Sequence, residues 1–158
     1  MSIPAMRRNA RQLSSDQTIE ILEQGTFGVL STVDMEGQPY GVPLNYVFHQ
    51  GVIYFHCAKD GYKLMNLSQN SRVSFCVVVQ STLLPEQFST DYVSAIVFGT
   101  ARQIKGQEKV DALRLLIRHL APNQIDQGED TISTQAEHTA VVKIVIDHLS
   151  GKSRKQEK

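Results

Sequence analysis

Phe27-Gly28-Val29-Leu30-Ser31-Thr32-Val33-Asp34-Met35-Glu36-Gly37-Gln38-Pro39-Tyr40-Gly41-Val42-Pro43-Leu44-Asn45-Tyr46-Val47-Phe48 decides how this chain is read. β-Branched and aromatic residues fill two runs, 27–33 and 38–48, and Asp34-Met35-Glu36-Gly37 between them has the composition of a hairpin loop. In the second run Val42, Leu44, Tyr46 and Phe48 fall on one face, and Gly41, Pro43, Asn45 and Val47 on the other. That is the period-two alternation of a strand. Pro43 removes a ladder donor, so the strand should bulge or lie at a sheet edge near Val42 to Tyr46, freeing backbone groups there. A flat heteroaromatic ring could use those groups, with Asn45 and Tyr46 nearby, but a plain edge strand has the same sequence pattern.

The same texture continues toward the C-terminus. His49-Gln50-Gly51 turns the chain, and further β-rich runs follow at 52–58, 73–79, 92–104 and 141–149. Helical periodicity is confined to three places. Ser14-Ser15-Asp16-Gln17 reads as a capping box for a helix over 15–24, stopped at Gly25. A short helix is expected over 62–69, and a longer one over 107–120, where Val110, Leu113, Leu116, Ile117 and Leu120 recur at helical spacing. The polar, acidic stretch 123–137 reads as a long surface loop. Six strands joined mostly by short turns, with helices at the margins, predict a mainly β fold: an antiparallel sheet closed, or nearly closed, into a barrel. We expect an N-terminal arm over 1–14, one domain over 15–152 and a C-terminal tail over 153–158. The arm, with Arg7, Arg8 and Arg11, is ordered only if something holds it, and of the basic end only Lys152 follows a strand closely enough to be fixed.

Composition narrows the function. Sixteen Lys and Arg balance sixteen Asp and Glu, so the formal charge is zero, which argues against a nucleic-acid or membrane-surface partner. No apolar run approaches the roughly 20 residues of a spanning helix, and the first residues lack a secretory signal, so a cytoplasmic location is expected. Cys57 and Cys76 sit inside apolar runs, as reduced structural thiols do. The five histidines have no metal-ligand spacing, and no P-loop, G-x-S-x-G or G-x-G-x-x-G string is present. His56 beside Cys57 is no nucleophile pair, because neighbours on a strand point to opposite faces.

The most informative chemistry lies in Tyr54-Phe55-His56-Cys57-Ala58-Lys59-Asp60-Gly61-Tyr62-Lys63-Leu64. A strand ends here, Asp60 can cap the next helix, and Lys63 lands in that helix's first turn. A cation is misplaced beside the partial positive charge and free amides of a helix N-terminus. A bound phosphate would resolve the conflict; the alternative is a lysine reaching into solvent.

Taken together, Phe27-Gly28-Val29-Leu30-Ser31-Thr32, Pro39-Tyr40-Gly41-Val42-Pro43-Leu44-Asn45-Tyr46, Tyr54-Phe55-His56-Cys57-Ala58 through Gly61-Tyr62-Lys63-Leu64, Arg72-Val73-Ser74-Phe75-Cys76, Val97-Phe98-Gly99-Thr100-Ala101-Arg102 and Ser150-Gly151-Lys152 resemble the nitroimidazole-resistance (Nim) branch of the pyridoxamine 5'-phosphate oxidase-like flavoproteins. The resemblance implies an FMN-binding split β-barrel homodimer with flavin sites in clefts at the subunit interface. It places the backbone of Val42, Pro43, Leu44, Asn45 and Tyr46 along the isoalloxazine ring and His56, Cys57 and Ala58 beside the ribityl chain. Lys63 and the Gly61 turn would hold the phosphate, and the second subunit would contribute Thr100, Arg102 and Lys152.

The implied activity is that of an FMN-dependent oxidoreductase, passing electrons from a nicotinamide donor to small electron-poor acceptors such as nitroaromatics or quinones. The protein would position the flavin, which supplies the chemistry. FAD or haem are the alternative cofactors, and a non-catalytic flavin- or haem-binding module for storage or sensing is the alternative function. Three positions depart from the family. Tyr62 stands where a histidine is common, Met65 interrupts the usual Lys-Leu-Asp-Asn run, and Val93 replaces a frequent acid. Pyridoxamine 5'-phosphate oxidation itself has no support, since His148-Leu149-Ser150-Gly151-Lys152-Ser153-Arg154 lacks the Arg-Leu-x-Pro type of substrate motif.

Overall fold

Ser14 starts the first helix, α1 (Ser15–Gln24), by the expected capping box. Its hydroxyl accepts from the Gln17 amide at 3.2 Å, and the Gln17 side chain accepts from the Ser14 amide at 3.0 Å. In this computed structural model, which describes residues 3–154, α1 leads into a hairpin of β1 (Phe27–Val33) and β2 (Pro39–Asn45). The Asp34 carboxylate closes the hairpin loop by accepting from the Glu36 and Gln38 amides at 2.9 and 2.8 Å. β3 (Val47–His49) and β4 (Val52–Ala58) follow, joined through Gln50 and Gly51, both at positive φ, as a tight hairpin turn requires. The remaining elements are α2 (Tyr62–Gln69), β5 (Arg72–Leu84), β6 (Ser89–Ile104), α3 (Gly106–Leu120), α4 (Ile125–Gln135) and β7 (Thr139–Arg154).

All seven strands form one antiparallel sheet in the order β2-β1-β5-β6-β7-β4-β3. The two edge strands, β2 and β3, are consecutive in the chain and only Tyr46 separates them. Two residue steps span at most ~7 Å, so the sheet must curl until its edges nearly meet. Its interior is filled by Leu30, Phe55, Phe75, Val97, Val142 and Ile144, and α2 adds Leu64 and Leu67 to the same core. A second core lies where α3 and α4 cover other residues of β3, β4 and β7, among them Val47, Leu113, Leu116, Ile132 and Val141.

Three expectations need correction. The run 38–48 is not one strand: Tyr46, Val47 and Phe48 are all buried, because the chain crosses there from one sheet edge to the other. Tyr46 turns inward, stacks edge-on against Phe75 at 5.1 Å and donates its hydroxyl to the Leu22 carbonyl at 2.9 Å. That carbonyl is among the last of α1, which the helix itself leaves without a partner. Tyr46→Phe should therefore cost about 1–2 kcal/mol by stranding a buried acceptor. The check is a lowered urea midpoint at unchanged slope.

The stretch 123–137 is largely α4, not a loop. Only Ile132 of this helix is buried, so no apolar stripe announces it. It is held from outside instead. Glu129 takes a forked pair of bonds from Arg114 of α3 at 2.9 and 3.0 Å, and Gly128 lets Ile117 approach so closely that an added Cβ would lie 2.7 Å from it.

The last strand also runs further than expected. β7 continues to Arg154, whose guanidinium donates to the Thr90 carbonyl at 3.2 Å. β4 covers β7 only as far as Val145, and beyond it the N-terminal arm takes over the exposed edge. Gln12 bridges Lys152, and the Leu13 amide donates to the Gly151 carbonyl at 3.0 Å. Met1, Ser2 and the tail from Lys155 onward lie outside the described residues. Among those described, no helix is long and apolar enough to cross a membrane.

Candidate functional site

Gly61 stands between the end of β4 and α2 with φ 121°, a conformation that essentially only glycine adopts. It is the N-cap of α2, and no side chain caps that end; Asp60, the expected cap, does not fill the role. A Cβ built on Gly61 meets nothing within 4 Å, so glycine is needed here for its backbone conformation and not for a close approach. Lys63, half-buried in the first helical turn, adds a full positive charge to the partial one already there. Its charge reaches Cys57 on β4: burial pushes that thiol's pKa up, and Lys63 acts against the rise. Gly61, Lys63 and Cys57 are thus brought together where β4 ends and α2 begins.

Tyr62 braces this corner. Its hydroxyl donates to Asp34 Oδ2 at 2.6 Å, and its ring meets Tyr40 edge-on at 4.9 Å, tying the start of α2 to the β1–β2 hairpin. The bond pulls the two groups apart in acidity: it holds the Asp34 carboxyl below its ordinary value and pushes the Tyr62 phenol up. Tyr62 therefore serves as a strut and is a poor proton donor to anything else. One helical turn on, the fully buried Asn66 donates to Thr32 Oγ1 at 3.0 Å and leaves its own Oδ1 without a partner among the described residues.

The other residues singled out from sequence scatter. Along β2, Val42 and Leu44 turn toward the core, Pro43 and Asn45 face solvent, and the Asn45 amide donates to the Thr26 carbonyl at 2.9 Å. Tyr46 is wholly interior, so only its backbone could face a ligand. β2 does lie at a sheet edge, as Pro43 implied. His56 points to the opposite side of β4 from Cys57 and lines a cavity of about 240 Å³ with Leu113, Leu116, Ile117 and Leu120 of α3 and Ile132 of α4. Ala58 is exposed at the strand's end. Thr100 and Arg102 pair with Val145 and Lys143, whereas Lys152 pairs with Ser94, eight residues back along β6 from Arg102. At ~3.3 Å per residue that is about 26 Å, too far for one chain to close Arg102 and Lys152 on the same small group.

His56 also makes a pH prediction. Its ring reaches solvent, yet the surrounding walls desolvate it enough to lower its pKa from 6.5. The unfolded chain then binds the proton more tightly than the folded one, so stability should fall as pH drops below about 6.5. Melting temperatures between pH 7 and 5 should decline less steeply in His56→Gln than in the wild type; parallel slopes would show that His56 does not contribute.

Asp34, Tyr40, Thr32 and Asn66 were not foreseen as parts of this corner. Nothing in the local sequence pairs Asp34 with Tyr62, 28 positions away.

A seven-stranded antiparallel sheet whose two edge strands are joined through one residue, flanked by helices, defines a split β-barrel protein. More narrowly, the chain belongs to the pyridoxamine 5'-phosphate oxidase family, whose model matches residues 14–153. Among curated proteins none matches the sequence. Solved structures do. A proposed 5-nitroimidazole antibiotic resistance protein from Bacteroides thetaiotaomicron is 24% identical with a TM-score of 0.74, over 89% of this chain and 85% of that one. A FAD and heme binding protein from Mycobacterium smegmatis is 18% identical with a TM-score of 0.81, over 92% and 74%. A FAD-binding protein from Mesorhizobium loti is 22% identical with a TM-score of 0.67, over 92% and 98%. At these identities the likeness establishes the fold alone.

Proposed function

We propose that this protein binds FMN as a homodimer and uses it to carry electrons from a nicotinamide donor to small electron-poor acceptors such as nitroaromatics or quinones. The observation that carries the reading is the uncapped start of α2, where open amides, the Gly61 turn and Lys63 converge with no side chain to neutralise them. A phosphate monoester is the group whose charge this corner suits. Family membership and the FAD named for two of the structural relatives support a flavin in general.

In this reading Lys63 and Gly61 hold the phosphate, the free edge of β2 from Val42 to Tyr46 faces the ring, and Cys57 and Ala58 stand beside the chain between them. Tyr62 fixes the position of Lys63 through Asp34. When bound, the flavin supplies the redox chemistry, and the residues orient it. His56 faces away from Lys63 in the same chain, so its place beside the ribityl chain has no support in the geometry of one protomer.

The dimer is supported by the outer face of the sheet. Phe27, Val29, Val78 and Ile96 are exposed at 53%, 36%, 55% and 39%, and the register Val29–Cys76–Ile96 makes them neighbours. A second copy would cover that face and bring its own Thr100, Arg102 and Lys152 to the site. A cytoplasmic setting belongs to the same proposal.

Tyr62 favours the second reading, a flavin- or haem-binding module without turnover, because its phenol is occupied by Asp34 and cannot replace the family histidine in proton transfer. The deciding experiment is the visible spectrum of the purified chain, followed by denaturing release and mass analysis. A two-banded yellow spectrum releasing FMN is the expected result. A sharp Soret band, or a colourless protein that refuses added FMN, overturns the proposal. NADH or NADPH oxidation with a nitroaromatic acceptor, no faster than with free FMN, would leave the module reading in its place.

A further inference from the structure

Beneath α3 and α4, the side of β4 that faces away from the barrel core forms the floor of a cavity of about 240 Å³. Phe55 and Cys57 pack toward the barrel core, so His56 between them projects the other way, into this space. Leu116 and Ile117 of α3 and Ile132 of α4 form much of its wall. The surrounding elements are tied together from outside. Arg114 of α3 forks onto Glu129 of α4 at 2.9 and 3.0 Å, and Lys109 Nζ donates to the Ala136 carbonyl at the end of α4 at 2.6 Å. Lys143 of β7 donates to Glu108 at the start of α3 at 2.7 Å. These ties set the spacing of both helices and the sheet, and no side chain fills the gap between them.

The wall chemistry selects what can enter. No acid, lysine or arginine lines the cavity, so neither a carboxylate nor an ammonium group would find a partner there. Two polar side chains reach it unbonded. His56 and, at the rim, Gln135 make no side-chain hydrogen bond among the described residues, whereas the Thr131 hydroxyl beside them already donates to the Gln127 carbonyl at 2.8 Å. Desolvation by the walls holds the His56 pKa below its ordinary value, so at pH 7 the ring is neutral and keeps one acceptor nitrogen. The Gln135 side-chain carbonyl is a second acceptor.

We propose that this cavity binds a small uncharged aromatic compound, a bicyclic ring of indole size whose single N–H or O–H donates to His56. The volume supports the size. An apolar cavity of ~150 Å³ holds benzene, so this one suits roughly nine or ten non-hydrogen atoms, enough for two fused rings and too few for a tricyclic flavin. The uncharged, largely aliphatic wall supports the ring, and the unbonded acceptors support the one donor. The site stands apart from the flavin reading. His56 and Cys57 occupy opposite sides of β4, so the strand separates an occupant here from anything held at Lys63 of the same chain.

The test uses the full chain with indole and indene, which share a shape and differ in the N–H. The chain has no tryptophan, so indole fluorescence is read against tyrosine alone, and indene is measured by displacing it. Indole is expected to saturate at one per chain, with indene about three- to tenfold weaker. His56→Phe, which keeps a flat ring and removes the acceptor, should bring the two affinities together. Indole-3-acetate, the same ring with a charge, should bind at least about tenfold more weakly than indole. Thr131→Phe sets a ring across the cavity from an exposed position on α4, and Ala121→Leu narrows it from the end of α3. Either should cost indole at least about tenfold in affinity at a melting temperature close to the wild type's. A wild type that takes up neither probe, equal affinities for indole and indene, or tighter binding of indole-3-acetate overturns the proposal. So do two filled variants that both bind indole unchanged, since indole would then be stacking elsewhere, on a bound flavin for example. Failure of the chain to bind FMN would sink the flavin reading and leave this site standing.

Discussion

Lys63→Ala is expected to weaken FMN binding by roughly ten- to a hundredfold while leaving riboflavin binding nearly unchanged. The two ligands differ only in the phosphate, so the difference isolates what Lys63 holds. A hydrogen bond to a charged group contributes about 1.5–3 kcal/mol, and 1.4 kcal/mol is a factor of ten in affinity. The structure gives reason to expect the upper part of that range. Lys63 is half-buried and the start of its helix is pinned by the Tyr62–Asp34 bond of 2.6 Å, so its backbone is already in place before a ligand binds. Fluorescence quenching titrations with both ligands, on wild type and variant, read the effect. Equal loss for FMN and riboflavin would remove Lys63 from the phosphate site, and an unchanged FMN affinity would return it to solvent. Lys63→Arg, keeping a cation at a different length, should fall between the two.

Phe75→Ala should cost about 3–5 kcal/mol of folding stability, a large share of the roughly 5–15 kcal/mol a domain of this kind possesses. Phe75 is fully buried on β5 and stands at the point where the barrel closes. On one side its ring lies over Gly28, so closely that a Cβ there would sit 2.5 Å from it; on another it meets Tyr46 edge-on at 5.1 Å. Glycine has no side chain to move into the space, and Tyr46 is fixed by its bond to Leu22, so the cavity cannot collapse. Urea unfolding followed by circular dichroism measures the loss. A change under about 1 kcal/mol would mean that the barrel interior relaxes freely and that the closure is not rigid.

Much of the architecture is local and therefore legible. The capping box at Ser14 and Gln17, the Asp34 hairpin, the runs at 27–33 and 52–58 and the helix over 62–69 coincide with the observed elements, because each rests on contacts between residues a few positions apart. Lys63 was legible for the same reason: its conflict with a helix start is visible within one turn. The brace behind it was not. Tyr62 reads as a lost histidine in sequence, and only its meeting with Asp34 and Tyr40 gives it a positioning role.

The amino-acid sequence alone determined that this chain builds an antiparallel barrel and that a cation stands at the start of its second helix. Periodicity and capping are properties of neighbouring residues, and they survive without knowledge of the whole. The tertiary structure alone decided that 38–48 divides at Tyr46, that α4 exists, that His56 and Cys57 serve opposite sides of β4, and that Gln12 of the N-terminal arm pairs with Lys152. Each of these depends on a partner far along the chain, where burial and pairing override local preference, and no short window of sequence contains both members.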